Sequence, residues 1–412
     1  MKFSIFTPTH RYDYLARLEA SLKKQTFQDF EWVIVPNGKV HSEKPPITIK
    51  QARVVPAKDP NRKEIGYLKK FACHLARGEI LVEVDHDDEL ASTALEELAA
   101  AFTDGVDFVY SNFCNIRSDG TFYKFGDGYG WQYRDAFIDG KKYLETISFS
   151  PTPAAFSKIW YAPNHVRAWR REFYYKIGGH DETMAVLDDQ DILARTYING
   201  TVKHLDRPLY IYHIHDDNTC YGEQNKIIQE QTLALHDKYI YQLVERWCDL
   251  EGLRKIDLCG GFSKPAGYES IDLANSDIVA NLDEPWPIES GTVGLLRGHD
   301  ALEHLKNPIH LMKEAYRCLA PNGWFLILVP STDGRGAFQD PTHVSFWNSN
   351  SFWYYTKRDT AKYINTPVRF QLNRIKNFFP SEWQKTHNIV YTKADLLKLD
   401  DTSERPPGLI EI

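Results

Sequence analysis

Two stretches of the chain alternate strand and helix patterns, and this alternation restricts the fold more than any other feature of the sequence. The first stretch combines short apolar segments that end at turn residues, FSIFTP and EWVIVPNG, with segments that carry apolar residues at helical spacing, YLARLEASLKKQ and YLKKFACHLARG. EILVEVD and STALEELAAAF continue the same rhythm. Such an alternation predicts an α/β fold with a mostly parallel sheet and helices on both faces.

The length of the chain and one long helical stretch indicate two domains. At 412 residues the chain exceeds the size at which a single hydrophobic core keeps growing. Residues 224–252 contain no proline, and no glycine before Gly252, which is typical of one continuous helix. After it the alternation restarts with RKIDLCGG, ESIDL and GWFLILVP. We therefore expect domains at 1–223 and 253–412, joined by a helical connector at 224–252.

Composition argues against several classes of protein. The formal net charge is −7, so a nucleic acid would meet net repulsion, and we expect no nucleic-acid partner. The six cysteines include no CxxC pair, which favours reduced thiols in a cytoplasmic protein over a disulfide framework or a zinc site. No apolar run approaches the roughly 18 to 20 residues that span a bilayer. We expect no transmembrane segment, and a peripheral association with a membrane stays open.

Three aspartates, Asp85, Asp87 and Asp88, directly follow an apolar run. Like charges crowded at a strand end repel one another, and a divalent cation with oxygen ligands, Mg²⁺ or Mn²⁺, would neutralise them. The alternative is an acidic loop that water solvates. Ligands of parallel α/β sheets bind at the carboxyl ends of the strands, and the segment from Thr7 to Thr9 and Asn37 also fall at such ends.

A second acidic group stands at the start of a helical pattern in LDDQDILAR. One of Asp188, Asp189 and Asp191 would serve as the helix N-cap, and a carboxylate held near a cation-bound phosphate leaving group is well placed as a general base. In YIYHIHDDNT, His213 and His215 alternate along a strand. Each is either an imidazole ligand or a structural residue.

An aromatic and basic stretch, IWYAPNHVRAWRREFYY, precedes this second acidic group. In one interpretation Trp160, Tyr161 and Trp169 form a stacking platform for a sugar, and Arg167 or Arg170 holds anionic groups. Ordinary core packing of the aromatic side chains is the alternative.

Three segments give residues 3–222 a resemblance to the family 2 glycosyltransferases of the GT-A fold. The opening FSIFTPTHRYDYLARLEASLKKQTFQDFEWVIVPNG resembles the first nucleotide-binding segment of that family, and LARGEILVEVDHDDEL resembles its DxD segment. IGGHDETMAVLDDQDILAR resembles the acceptor-side segment with its catalytic acidic pair. The segments occur in the family's order, which makes the resemblance specific.

The resemblance implies roles for individual residues. For the donor, they are Thr7, Pro8 and Thr9 along the nucleobase and ribose, Asp85 on the ribose, Asp87 on the metal at the diphosphate, and His215 as a further metal ligand. For the acceptor, they are Asp189 as the base that deprotonates the hydroxyl, and Trp169, Arg170 and Asp188 as binding residues. Two nucleotide-sugar-binding positions depart from the family: Asn37 stands where an acidic pair is usual, and Lys69 where an arginine is common.

The reaction implied by the resemblance is inverting. It is a single in-line displacement at the anomeric carbon, with Mn²⁺ or Mg²⁺ stabilising the nucleoside diphosphate as it leaves. The expected donor is a nucleotide sugar, a UDP-sugar first, and the expected acceptor is an oligosaccharide, a glycolipid or a glycoprotein.

The second stretch has a glycine pair in IDLCGGFSK, where a strand ends and the backbone can approach a ligand closely. Asp272 ends the next strand, where its carboxylate would accept two ribose hydroxyls. Residues 254–355 resemble the class I S-adenosylmethionine (SAM)-dependent methyltransferases of the type 11 kind. The resemblance rests on DLCGG, IDL, WPIESGTVGLLRGHDALEHL, EAYRCLAPNGWFLILVP and DPTHVSFW.

This second resemblance implies a small Rossmann-like domain that binds SAM. The implied residues are Asp257, Gly260 and Gly261 beside the methionine moiety, Asp272 on the ribose, and His299 near the methyl group. Cys259 replaces the first glycine of the loop, and Asn281 stands where an aspartate is frequent. His343 in DPTHV is either a base for a hydroxyl acceptor or a structural turn residue.

The interpretation that unites these features is an enzyme that transfers a sugar with its first domain and O-methylates the glycan with its second. One alternative is a glycosyltransferase whose methyltransferase domain is degenerate and non-catalytic. A metal-dependent nucleotidyltransferase and a non-catalytic sugar- or cofactor-binding protein are the other two.

Overall fold

The computed structural model describes residues 1–126, 130–159, 162–215 and 223–399. The chain divides into two compact units, Met1–Tyr239 and Ile240–Ile412. The division falls inside one long helix, α7 (Glu223–Glu251). This helix matches the predicted helix at residues 224–252 to within one residue at each end. Each unit is described by itself.

The first unit is a mixed α/β structure. Its strands are β1 (Phe3–Thr9), β2 (Phe30–Pro36), β3 (Ala52–Val54), β4 (Ile80–Glu83), β5 (Glu89–Leu90), β6 (Phe108–Arg117), β7 (Tyr133–Ile138), β8 (Lys141–Thr146), β9 (Arg167–Arg170) and β10 (Val202–Ile214). Its helices are α1 (Leu15–Lys23), α2 (Ile65–Leu75), α3 (Ala94–Ala101), α4 (Pro153–Lys158), α5 (Arg171–Lys176) and α6 (Asp188–Asn199), followed by the start of α7 (Glu223–Glu251).

The strands of the first unit form a ten-stranded sheet in the order β3-β2-β1-β4-β9-β6-β10-β5, with β8 paired to β6 and β7 to β8. β1 runs parallel to both β2 and β4, with Thr9 opposite Pro36 and Phe6 opposite Glu83. These three strands therefore end at one edge of the sheet. β9 is antiparallel to β4 and β6, so the sheet is mixed beyond β4.

Burial on both faces explains the apolar character of the central strands. Every residue of β2 and β4 is buried, as expected where helices cover both faces of a sheet. α1 places Leu15, Leu18 and Leu22 on one buried stripe, at the helical spacing seen in the sequence. Polar residues that end such strands emerge from the core at the sheet edge.

The second unit is a separate α/β structure. Its strands are β11 (Arg254–Leu258), β12 (Glu269–Asp272), β13 (Ile278–Val279), β14 (Val293–His299), β15 (Leu319–Pro330), β16 (Phe370–Phe378) and β17 (Tyr391–Lys398). Its helices after α7 are α8 (Pro308–Cys318), α9 (Gly336–Gln339), α10 (Trp353–Thr356), α11 (Arg358–Ala361) and α12 (Glu382–Thr386).

The seven strands of this unit lie in the order β13-β12-β11-β14-β15-β17-β16. β11 is parallel to β12 on one side and to β14 on the other, and only the pairs that involve β17 are antiparallel. The strand order reverses beside β11, and α/β sheets bind ligands in the crevice at such a reversal. The glycine pair of the sequence follows β11 directly.

Local signals explain the best-defined helix of the second unit. Pro308 occupies the first turn of α8, and the Asn307 side chain accepts a hydrogen bond from the His310 N–H, as a helix N-cap does. Leu311, Met312 and Ala315 form its buried face. Within the described part of the chain, no helix combines the length and apolar character needed to cross a membrane.

Candidate functional site

A cavity of about 1050 Å³ lies in the first unit, at the edge where β1, β2 and β4 end. Ten of the residues singled out in the sequence line it: Pro8, Thr9, Asn37, Lys69, Asp85, Asp87, Arg167, Asp188, Asp189 and His215. They come from seven parts of the chain that the fold brings together. The structure thus gathers most of the predicted donor residues in one place.

The three aspartates that follow β4 do not share one role. Asp88 is fully buried and accepts hydrogen bonds from the Tyr210 hydroxyl (2.7 Å) and the His213 N–H (2.8 Å), both on β10. Desolvation, and then the charges of Asp87 and Asp85, raise the pKa of Asp88 well above its ordinary value. Asp88 therefore anchors the loop, while Asp85 and Asp87 face the cavity.

Asp87 and His215 are in direct contact. The Nε2 atom of His215 lies 2.8 Å from Asp87 Oδ2, and Tyr14 stacks on the imidazole with ring centroids 5.0 Å apart. The side chain of Arg17 donates to the Asp87 carbonyl (3.1 Å). A carboxylate beside an imidazole is a donor pair suited to a divalent metal ion such as Mn²⁺.

Lys69 lies between two buried carboxylates. Its ammonium is 2.5 Å from Glu83 Oε1 and 3.3 Å from Asp188 Oδ2, and all three side chains are almost fully buried. Desolvation raises the pKa of Asp188 to about 7 despite the nearby ammonium. Desolvation of Lys69 itself acts toward a lower pKa, but the charges of Asp188 and Glu83 outweigh it and hold the pKa of Lys69 well above its ordinary value. Lys69 is therefore a fixed positive charge at the base of the cavity.

Asp189 is oriented by a buried arginine. The Arg167 guanidinium, 1% exposed, donates from NH1 to Asp189 Oδ2 at 3.0 Å and lies 3.7 Å from Glu83 Oε2. The other carboxylate oxygen accepts the N–H of Gln190 at 2.8 Å. Asp189 is the second residue of α6, and the residue before that helix, Leu187, adopts a left-handed backbone with φ 59° that turns the chain into it.

Three predicted site residues lie elsewhere. Thr7 is fully buried beneath the cavity, where its hydroxyl donates to the Val84 carbonyl (2.8 Å). Trp169 is also fully buried, and its indole N–H donates to Thr196 (3.0 Å). Arg170 donates to the carbonyls of Val106 and Thr103.

These placements correct the interpretation of the aromatic stretch. The core-packing alternative describes Trp169, because β9 lies between β4 and β6 in the middle of the sheet, where a side chain meets a covering helix rather than solvent. Arg170 secures the loop before β6 instead of facing the cavity. Trp160 and Tyr161 lie outside the described residues.

Three residues near the cavity, Glu83, Asn164 and His165, were not singled out in the sequence. Glu83 and His165 offer ligand atoms that lie within 4.8 Å of one another and of one from Asp85, which makes the three a further candidate cation group. Among the described residues, the side-chain oxygen Oδ1 of Asn164 and Nε2 of His165 are buried without a hydrogen-bond partner. Glu83 could have been recognised in the sequence as a charged residue at the end of an apolar strand. The segment of Asn164 and His165 has no sequence pattern that indicates a site.

In the second unit the predicted cofactor residues surround one loop. Gly260 is so close to Asp257 that an added Cβ would lie 2.5 Å from Asp257 Oδ2, and a Cβ at Gly261 would lie 3.4 Å from Asp272 Oδ2. Arg297 donates to the other Asp257 oxygen at 2.7 Å. Cys259 has φ 55°, a left-handed conformation that favours glycine, although the residue there is a cysteine.

His299 ends β14, and both of its ring nitrogens are engaged. Arg297 donates to Nδ1 at 2.8 Å, and the Tyr241 hydroxyl contacts Nε2. A guanidinium only donates, so the ring proton resides on Nε2. Desolvation, with a further contribution from Arg297, lowers the pKa of His299 to about 3. His299 is thus held as a neutral imidazole whose lone pair already has a donor.

Structures of S. aureus TarS are similar to part of the chain. TarS 1–349 aligns with 17% identity and a TM-score of 0.40 over 65% of this chain and 75% of that one. The complex of TarS 1–349 with UDP-GlcNAc aligns with 18% identity and a TM-score of 0.40 over 60% and 73%. A longer TarS structure aligns with 18% identity and a TM-score of 0.39 over 60% and 44%.

Family models match both units. Residues 4–178 match the glycosyl transferase family 2 model, and residues 260–376 match a methyltransferase domain model. No curated protein matches the sequence. The two domains and their order confirm the two resemblances found in the sequence, including the GT-A-like and methyltransferase-like folds. The chain therefore carries a family 2 glycosyltransferase domain followed by a methyltransferase domain, and it is a transferase.

Proposed function

We propose that the protein is an inverting, metal-dependent glycosyltransferase that moves a sugar from a nucleotide-sugar donor, a UDP-sugar first, to a glycan hydroxyl in the cytoplasm. The observation that carries this proposal is the meeting of two acidic groups in one cavity. Asp85 and Asp87 follow β4, and Asp189 is the second residue of α6, yet all three line the same space beside Lys69. A single displacement needs such an arrangement, with the diphosphate and the acceptor base on either side of the anomeric carbon.

Asp87 and His215 would hold the divalent cation, Mn²⁺ or Mg²⁺, and Asp85 would contact the ribose. When bound, the cation neutralises charge on the leaving diphosphate. Lys69 adds a fixed positive charge next to Asp188, and Asn37 offers an amide to the base edge. Asp189 would take the proton of the acceptor hydroxyl, with Arg167 fixing the direction in which its carboxylate points.

For the second domain we propose SAM-dependent O-methylation of the same glycan. The narrow space around Gly260 and the two carboxylates of Asp257 and Asp272 supports a cofactor with a charged methionine end and a ribose. We also propose that residues 1–223 form the glycosyltransferase domain, that residues 253–412 form the methyltransferase domain, and that residues 224–252 connect them. The acceptor would be an oligosaccharide, a lipid-linked glycan or a glycoprotein, reached without a transmembrane segment of the enzyme.

Donor hydrolysis in the absence of an acceptor tests the first activity. The full chain is incubated with UDP-, GDP- and dTDP-sugars and Mn²⁺ or Mg²⁺, and release of the nucleoside diphosphate is measured. We expect one donor to be consumed, and Asp87→Ala to lower that rate at least about 100-fold, because several kcal/mol of charge stabilisation are lost. Asp135→Ala, at an exposed aspartate paired with Lys142, is the matched control.

Asp189→Asn separates the base from the donor site. With an acceptor present we expect transfer to slow about 10²- to 10⁴-fold, while donor affinity stays within about threefold. Full transfer activity in Asp189→Asn would contradict the assigned base. Binding without hydrolysis or transfer in the wild type would instead indicate a sugar-binding protein, and release of diphosphate would indicate a nucleotidyltransferase.

Calorimetric titration with SAM tests the second domain. Gly260→Ala should weaken SAM binding at least about tenfold, because the new methyl group overlaps the Asp257 carboxylate that Arg297 holds in place. Gly291→Ala is the comparison variant, because Gly291 has a left-handed backbone, with φ 73°, and lies before β14, at the opposite edge of the sheet. It should leave SAM affinity unchanged. A wild type that binds no SAM would favour the degenerate alternative.

A further inference from the structure

A second pocket, of about 210 Å³, lies in the methyltransferase unit at the edge where β14 and β15 end. Glu303 and His304 reach it from the segment after β14, and His343 reaches it from the loop after α9. One possible ligand atom from each of these three side chains lies within 4.8 Å of the other two. The roles proposed above use neither Glu303 nor His304.

The backbone holds these two segments together. The Glu303 carbonyl accepts hydrogen bonds from the N–H groups of Val344 (2.8 Å) and Ser345 (3.0 Å). The His304 and His343 rings meet edge to face, with centroids 5.0 Å apart. The cluster is therefore built by the fold, and its members are not mobile surface side chains that happen to be near one another.

Glu303 is buried without a charge partner. It is 2% exposed, and neither of its carboxylate oxygens has a hydrogen-bond partner among the described residues. The pocket walls add two further carboxylates, Asp300 and Asp340, and no lysine or arginine of the described chain lines it. Buried carboxyl groups are normally paired or bound to a metal ion. The pocket therefore brings three carboxyl groups together with no lysine or arginine among its described lining residues.

Both imidazoles are oriented as metal ligands are. His343 Nδ1 donates to the Ala337 carbonyl at 3.0 Å, which leaves the lone pair on Nε2, 3.9 Å from Glu303 Oε1. His304 Nδ1 lies 3.3 Å from the Thr342 carbonyl, which likewise leaves the lone pair on Nε2. A carbonyl contact on the far ring nitrogen is the usual way in which proteins fix the tautomer of a ligating histidine.

We propose that Glu303, His304 and His343 bind a divalent first-row transition metal ion. Two imidazoles and one carboxylate suit Zn²⁺, Mn²⁺, Fe²⁺ or Co²⁺ better than the oxygen-seeking Mg²⁺ and Ca²⁺. Three protein ligands leave coordination positions open toward the pocket, as in catalytic metal sites.

We assign a ligand to those open coordination positions on the basis of the methyltransferase function proposed above. In a domain that methylates a glycan with SAM, the glycan hydroxyl would bind the metal ion at an open position. Coordination lowers the pKa of such a hydroxyl, whose proton passes to water. This assignment gives the second domain a means of activating the hydroxyl that does not depend on His299, whose lone pair Arg297 already occupies.

Cobalt titration tests the site directly. All proteins are full-length and carry Asp85→Ala and Asp87→Ala, so that both candidate cation groups of the first domain are disabled, and they are stripped with a chelator before Co²⁺ is added. We expect about one equivalent to bind with the visible absorption of a nitrogen-ligated ion. His343→Asn and Glu303→Gln should each weaken binding at least about tenfold. His310→Asn, at a partly exposed histidine of the same unit, should not.

Two results would overturn the inference: no Co²⁺ binding by the parent protein, or equal affinity in the His343→Asn and His310→Asn variants. If the ligand variants fail to fold, the parent protein still decides the question through histidine modification by diethyl pyrocarbonate. Co²⁺ should protect His304 and His343, but not His310, and equal labelling of all three with and without the metal would contradict the site.

SAM binding, measured on the same proteins, separates this inference from the proposed function. A protein that binds SAM but fails to bind Co²⁺ would reject the metal site and leave the methyltransferase proposal intact. Metal binding that depends on His343, in a protein that binds no SAM, would support the site and reject the methyltransferase proposal.

Discussion

The two domains bury their carboxylates in different ways. In the glycosyltransferase domain, Glu83 and Asp188 share the ammonium of Lys69, and Asp189 has the guanidinium of Arg167. In the methyltransferase domain, Glu303 is equally buried, and its titratable neighbours include His343, Asp300 and Asp340, with no lysine or arginine among the described residues of its pocket. Desolvation raises the pKa of Glu303 to about 8.

The difference indicates how each site meets its ligand. A buried ion pair offsets the cost of desolvation within the protein, so the first site is fixed before any substrate arrives. For a buried carboxylate with no cation, no ion pair offsets the free-energy cost of desolvation, and a bound metal ion would offset it. The buried acids of the first site are therefore paired within the protein, whereas Glu303 has no lysine or arginine partner among the described residues.

Among the variants considered, removal of Lys69 should cause the largest loss in the free energy of unfolding. Lys69→Met removes the ammonium from buried Asp188 and leaves Glu83 with only the more distant guanidinium of Arg167 (3.7 Å), and we expect the free energy of unfolding to fall by about 3–5 kcal/mol. Lys70→Met is the matched control, because Lys70 is half exposed and pairs with Glu182 at the surface (3.3 Å). It should cost no more than about 1 kcal/mol.

Urea unfolding of both variants at pH 7 measures this difference. A loss in Lys69→Met no larger than that in Lys70→Met would show that the buried carboxylates do not depend on the ammonium. The contrast between the two domains would then fail.

The buried, neutral His299 of the methyltransferase domain should make the free energy of unfolding depend on pH. Desolvation lowers the pKa of His299 to about 3, against 6.5 for an exposed imidazole. Between these values the unfolded chain binds a proton that the folded protein does not, so His299 makes stability fall as the pH is lowered from about 6.5 toward 3. The contribution is about 1.4 kcal/mol per pH unit below pH 6.

His299→Gln should remove this part of the acid sensitivity. Urea unfolding at pH 7, 6 and 5 would show a shallower loss of stability in the variant than in the wild type. His310→Gln, at a partly exposed histidine, should keep the wild-type slope. Identical slopes in all three proteins would mean that His299 is protonated without cost in the folded state.

The smallest effect is expected at Glu303. In metal-free protein at pH 7 its carboxyl group, with a pKa of about 8, is mostly protonated, and glutamine has nearly the same shape. Glu303→Gln should therefore change the free energy of unfolding by less than about 1 kcal/mol, in contrast with Lys69→Met. A loss of several kcal/mol in chelator-treated protein would reveal an internal partner for Glu303 and weaken the case for a metal ion.

Much of the fold and part of the first site were predictable from the sequence. Alternating patterns predicted two α/β domains, and the apolar runs before Asp85 and Asn37 placed these residues at the edge of the sheet. The long stretch without proline predicted the helix Glu223–Glu251 to within one residue at each end. These features are local, because strand and helix periods, turn residues and charges at strand ends appear along the chain itself.

Other assignments depended on which elements pack together. Arg167 and Trp169 are two residues apart on β9 and therefore share a face of the strand. No periodicity reveals that Trp169 packs in the core while Arg167 contacts Asp189, 22 residues further along the chain. His343 had two interpretations in the sequence. Its contact with Glu303 appeared only when two segments 40 residues apart were joined.

The sequence by itself determined the two α/β domains, their order, the families they resemble and the chemical types of the first site's residues. Tertiary structure alone decided which of the three aspartates after β4 is structural, which lysine neutralises the buried acids, and that no lysine or arginine of the described residues lines the pocket of Glu303. The physical reason is that desolvation and pairing depend on the full surroundings of a side chain. Those surroundings are supplied by residues distant in the chain, as Tyr210 is for Asp88.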